Sequence, residues 1–180
     1  QSRIPSARAR WRTGIPSEMR GPYMTIKQEI SLAQRQIVHG VYVISTRLGE
    51  KVNAMTAAWV GRASFEPPLI TVAIGKTRYT HDMIMGSGVF AVNVLGADNI
   101  AAGKRFGLKS GRNTDKFAGV GYDTKTTGAP VLRDCIAWMD CKVVSHHDAG
   151  DHTLFIGTVI DAGVLREAAT LVYDKESFYK

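Results

Sequence analysis

Cysteine is scarce in this chain: its 180 residues include two, Cys135 and Cys141, with five residues between them. On a strand that separation is about 20 Å, beyond the reach of a disulfide, so free thiols in a reducing cytoplasm are expected. Long apolar runs are missing too. No stretch approaches the roughly 20 residues needed to span a bilayer, and no signal peptide is visible, so no membrane partner is expected. The "HHDAGDH" run at 146–152 is the nearest approach to a metal set, but His146 and His147 would face opposite sides of a strand. No other His or Cys grouping has ligand spacing, so no metal is expected. No Ser-His-Asp or Cys-His signature with supporting context appears, which leaves hydrolase readings without a basis. A dinucleotide fingerprint is also lacking, because "GKRFGLKSG" has neither the strand context nor the spacing.

The net charge of +7 suggests nucleic acid until it is divided along the chain. Residues 1–23 hold five arginines against Glu18 alone, so more than half of the excess lies there. The basic stretch is short and few aromatics interleave it, which argues against a nucleic-acid partner. Residues 1–23 read as a basic N-terminal extension, either a tag or leader or an arm that packs on a partner subunit. Met24 looks like a natural start, and residues 24–180 read as one folded domain with a full core.

Apolar spacing from residue 29 to 38 suits a short helix that covers one end of a sheet. Strands are expected at 40–46, 69–74, 89–95, 135–146, 152–163 and 170–174, and an extended stretch at 52–65. Short helices are expected near 80–85 and over 97–106, with a loop-rich region at 107–134. "DAGD" at 148–151 reads as a hairpin turn. Long helices do not alternate with these strands, which excludes a parallel doubly wound sheet and favours an antiparallel barrel with peripheral helices.

"AIGKTRYTH" at 73–81 changes character at Gly75, after an apolar strand. It is not a P-loop, because Ile70 stands where that motif needs a glycine. A helix start beside Lys76 and Arg78 could still hold a phosphate. The plainer alternative is that Thr80 is a helix cap and the cations form a solvated face.

The wider segment "KVNAMTAAWVGRASFEPPLITVAIGKTRYTH" (51–81) resembles the FMN-binding split-barrel, flavin reductase-like family. Asn53, Thr56, Ala57, Ala58, Ser64, Pro67, Pro68 and Leu69 fall on its pattern, followed by Lys76, Arg78 and Thr80. "SGVFAVNVL" (87–95), "GRNTDKFAG" (111–119), "TGAPVLRDCIAWMDCKV" (127–143) and "GDHTLFIGTV" (150–159) match the rest in order. The resemblance implies a mainly β, antiparallel Greek-key split barrel that forms a homodimer and binds FMN, with NAD(P)H as co-substrate. It places the cofactor at Asn53, Ala54, Met55, Thr56, Ala57, Ala58, Ser64, Phe65, Gly75, Lys76, Arg78, Tyr79 and Thr80.

The small residues at 53–58 suit close backbone approach to a flat ring, whose edges backbone N–H groups could bond. In the family His152 would stand near the open face of the ring, as the candidate catalytic residue. A surface or hairpin-packing role is the alternative. Trp59, Tyr79, Phe117 and Trp138 are possible ring neighbours, and equally possible packing residues. Asp115 and Lys116 lie in the loop resembling a substrate-side lid, or form a solvated ion pair. The implied function is a flavin reductase passing electrons from NAD(P)H to a flavin, a monooxygenase partner, a metal or a redox protein. A flavoredoxin-like electron carrier on the same fold is the rival, and a non-enzymatic sensor the third reading.

Overall fold

The computed structural model describes residues 25–174, Glu176 and Phe178; the basic extension at 1–23 lies outside the described residues. The chain divides into two compact units, residues 1–37 and 38–180. In the first, α1 (Ile26–Gln34) starts three residues earlier than its apolar spacing suggests, because a capping box fixes its start. Gln28 N–H donates to Thr25 Oγ1, and Thr25 N–H donates to Gln28 Oε1. None of its residues is buried.

The second unit is built on β1 (Tyr42–Leu48), β2 (Lys51–Ala57), β3 (Val60–Ser64), β4 (Leu69–Gly75), β5 (Val89–Val94), β8 (Ala137–Ala149) and β9 (His152–Val164). These form one antiparallel sheet in the order β2-β1-β5-β8-β9-β4-β3. Its outermost strands, β2 and β3, are consecutive in sequence and joined by Ala58 and Trp59 alone. A flat sheet of this order would hold them roughly 29 Å apart, while the link spans at most about 11 Å. The sheet must roll, which gives the split barrel that the sequence implied.

Along β1 and β5 both faces of the rolled sheet are covered. On β1, Val43 belongs to one buried cluster and Ile44 to the other, and on β5 Ala91 and Phe90 divide in the same way. That alternation is the strand period of two. One cluster, with Ile70, Val72, Ile74 and Phe155, fills the space between the strands. The other packs Phe106 of α3 (Ile100–Gly107) with Phe117, Val131 and Leu132. Asn93 fixes the join from within: its amide donates to Val43 O (3.0 Å) and accepts from Leu132 N–H (2.7 Å).

Three expectations change. The stretch 52–65 is two strands, because its halves go to opposite edges of the sheet. Region 107–134 contains a small hairpin, β6 (Tyr122–Thr124) with β7 (Pro130–Leu132), too short to leave a periodicity. Residues 170–174 form no strand: Thr170 bridges Gly96 while Val172 bridges Gly40, and two different partners cannot extend one ladder. Cys135 precedes β8 and Cys141 lies within it; both are free and buried. Burial pushes their thiols up, to about 11 and about 12. Among the described residues no helix is long and apolar enough to cross a membrane.

Gly157 of β9 shows how tightly the rolled sheet is packed: a Cβ there would lie 2.6 Å from Phe90 Cζ and 3.1 Å from Cys141 Cβ. Phe90 is fully buried and has little room to move. Gly157→Ala is expected to lower stability by about 1–3 kcal/mol, the usual range for an overpacked core. Urea unfolding measures it, and an unchanged midpoint would mean that the core yields.

Candidate functional site

A cavity of about 410 Å³ opens where three elements meet, a size suited to a small organic ligand. Strand β2 supplies Asn53, Met55 and Thr56, and residues 77–80 form the second wall at the start of α2 (Tyr79–Ser87). Residues 106–111, with Lys116, form the third. The walls are cross-linked. Asn53 Nδ2 donates to Thr80 Oγ1 (2.9 Å), and Thr56 Oγ1 donates to Gly103 O (2.6 Å). Arg112 pairs with Asp82 (2.6 Å) and lies over the Tyr79 ring (4.9 Å), strapping the 108–116 loop to α2. Gly111 permits this closeness, since a Cβ there would fall 1.9 Å from Asn53 Oδ1.

The lining carries Arg78, Lys109 and Lys116, and no carboxylate among the described residues. The N-cap of α2 is Arg78, with no side-chain cap bond. The amides of Tyr79 and Thr80 precede the helix's own hydrogen-bond ladder and carry its positive end. Thr80 is therefore not the cap but a buried residue of the first turn. Lys116 is 5% exposed, and its Nζ donates to Ala54 O (2.6 Å) and Phe106 O (2.9 Å). Burial, and then the nearby Arg78 charge, pull its pKa down to about 8. The arrangement suits an anionic or oxygen-rich ligand.

Of the residues singled out in the sequence, Asn53, Met55, Thr56, Arg78, Tyr79 and Thr80 line this cavity together. Ala54 and Ala57 pack into the two core clusters, and Ala58 is half-buried in the link to β3. Ser64 ends β3 and Phe65 follows it, 84% exposed with Arg62 over its ring; neither is among the lining residues. Lys76 also lies outside the lining, and its Nζ is held by Asp148 at 2.6 Å. Gly75 sits opposite His152 in the β4–β9 pairing. The His152 ring packs on Trp59 (centroids 4.6 Å apart) and its Nδ1 meets Asp151 Oδ1 (2.7 Å). It is not among the lining residues of the cavity. Phe117 and Trp138 are core residues.

Sequence reasoning passed over the 106–111 wall and the inward course of Lys116. The "GLKSG" run carried a signal for the wall, since two glycines allow close approach. Among the described residues no group of three His, Cys, Asp or Glu side chains is placed to hold a metal.

The curated relatives include the high molecular weight rubredoxin of Moorella thermoacetica, 36% identical over 143 residues. The match covers 78% of this chain and spans 62% of that protein's length. The solved structure of the flavin reductase PheA2 in its native state is 33% identical, with a TM-score of 0.72 over 83% of this chain and 94% of that one. An FMN-binding protein from Thermus thermophilus with bound p-hydroxybenzaldehyde is 28% identical, with a TM-score of 0.68 over 71% and 73%. Residues 34–180 match the flavin reductase like domain, and the chain belongs to that family.

Proposed function

We propose that this chain is an FMN-dependent oxidoreductase that passes electrons from NAD(P)H, through bound FMN, to a flavin, metal or protein acceptor. The observation that carries the reading is one cavity with three cations and no carboxylate among its described lining residues, two of whose three walls fall in the segment matching the family pattern. FMN, when bound, supplies hydride acceptance and onward electron transfer. The protein's part is placement. Arg78 and the first amides of α2 hold the phosphate, β2 lies against the ring at Asn53, Met55 and Thr56, and the 108–116 loop limits access of water. His152 stands ready to orient a nicotinamide at the mouth. A monooxygenase component or a redox protein is the proposed electron-accepting partner. The rubredoxin name of one relative favours, as second reading, an electron carrier without efficient NAD(P)H oxidation. Two buried free thiols support a reducing cytoplasmic setting.

Purified protein should carry a flavin absorption band, release FMN on heating, and bleach rapidly when NADH or NADPH is added without oxygen. Recovery of FAD, haem or no chromophore after reconstitution would refute the reading, and bleaching by protein donors alone would favour the carrier. In the same assay His152→Ala should slow bleaching several-fold and leave FMN affinity intact. An unchanged rate with a lowered melting temperature would remove His152 from the site.

Arg78 and Lys76 should now separate. Arg78→Ala is expected to weaken FMN binding by about 1.5–3 kcal/mol, the range for a charge-assisted hydrogen bond, with riboflavin hardly affected. Lys76→Ala should do much less, because its ammonium is already engaged by Asp148. Equal losses for both flavins in Arg78→Ala would move the phosphate elsewhere.

A homodimer belongs to the same proposal. Edge strand β3 has one neighbour, β4, and the flanking Trp59 and Phe65 are exposed, an open edge suited to a second copy. Sedimentation at micromolar concentration should give twice the 19.6 kDa chain mass, and a monomer retaining FMN would contradict it.

A further inference from the structure

Lys116 sits in a loop whose other residues from 112 to 115 are exposed, yet it is buried. Its backbone is pinned from two sides. Arg105 Nε donates to Lys116 O (2.8 Å), and the next amide, Phe117 N–H, donates to Asp115 Oδ1 (2.9 Å). The side chain then runs inward until Nζ meets Ala54 O and Phe106 O. An ammonium has three N–H donors. Those two carbonyls are its acceptors among the described residues, and the same residue lines the cavity.

We propose that Lys116 binds the cavity's ligand directly, through the ammonium N–H that neither Ala54 nor Phe106 takes. The acceptor is an oxygen of anionic or carbonyl character. The identity of the ligand as a flavin rests on the function proposed above; the donor itself does not.

A tie between two carbonyls alone would be served by a neutral amide or hydroxyl, without the desolvation that a buried charge carries. Lys116 also works against its neighbours. Arg78 and Tyr79 come from α2, Arg105 from α3 and Lys109 from the loop, while β2 brings no titratable group to the lining. Asp115 is the adjacent acid, and its carboxylate accepts from Phe117 N–H. Burial first and Arg78 second therefore loosen the proton of free Lys116, to a pKa of about 8. A ligand oxygen supplies the missing counter-charge and raises that value, so binding takes up a proton above about pH 8. Apparent affinity then falls as pH climbs past the free value. A phosphomonoester, whose second pKa is about 6, is already ionised there and adds no dependence.

The test uses wild-type protein with lysine side chains labelled with carbon-13 at Cε, followed by NMR from about pH 6 to about pH 11, the span over which a lysine can titrate. Lys116→Arg assigns the signal. The free protein should show a midpoint near 8 for Lys116, and FMN should raise it by more than about one pH unit, with affinity weakening at least about fourfold between roughly pH 8 and pH 9.5. Riboflavin forms the second arm. A rise with both flavins places the oxygen on the ring, a rise with FMN alone places it on the phosphate, and either supports the assignment. A bound protein whose Lys116 midpoint has not moved overturns the assignment and leaves a structural tie. Failure of the wild-type protein to bind either flavin overturns the flavin reading alone; inorganic phosphate is then the probe, and a Lys116 midpoint that does not move with it overturns the donor assignment.

Discussion

Two residues, Ala58 and Trp59, impose the shape of the sheet. They join the strands at its opposite edges, and a link that short forbids a flat arrangement. Rolling follows, and with it an interior filled by Ile44, Val72, Ile74, Phe90 and Phe155. The other face of the same strands is covered by α3 and the β6–β7 hairpin, so β1 and β5 are buried on both sides and tolerate little change of volume.

The site inherits its character from β2. In the pairing order β2 has one neighbour, β1, so alternate residues turn their backbone N–H and C=O away from the ladder. The Ala54 carbonyl is one of these, and Lys116 reaches it from the far side of the cavity. An edge strand of small residues thus offers backbone polar groups to whatever lies beside it, where a central strand has none to spare. Helix α2 then brings its positive end to the same place, and Arg112 draws the loop across.

Much of this was legible because two walls of the cavity are continuous in sequence: residues 53–56 and 77–80 fall within one recognisable stretch. Apolar strand patterns gave β1, β4, β5, β8 and β9, which carry the buried cores. What escaped depended on contacts between distant positions. Lys76 and Arg78 look equivalent in "GKTRYT", and only Asp148, 72 residues away, distinguishes them. Lys116 reads as a loop cation until Ala54 O and Phe106 O converge on it. Residues 170–174 have a strand's composition but meet two different partners. Local pattern specifies an element; a partner chosen by the fold decides what the element does.

The cavity is also where the fold gives up stability. Lys116 titrates near 8 in the folded chain, against an ordinary 10.5, so the unfolded state holds that proton more tightly. As far as this group is concerned, stability rises with pH between those two values, and below them the folded protein carries the full burden of a buried ammonium. Arg78 adds to it. A sequence selected for stability alone would place an apolar side chain at 116. Local departures of this kind cluster at functional sites, because the same unbalanced charge that weakens the empty fold is what a bound oxygen anion relieves. The burden and the binding site are therefore one feature, and the depth of the lysine measures both.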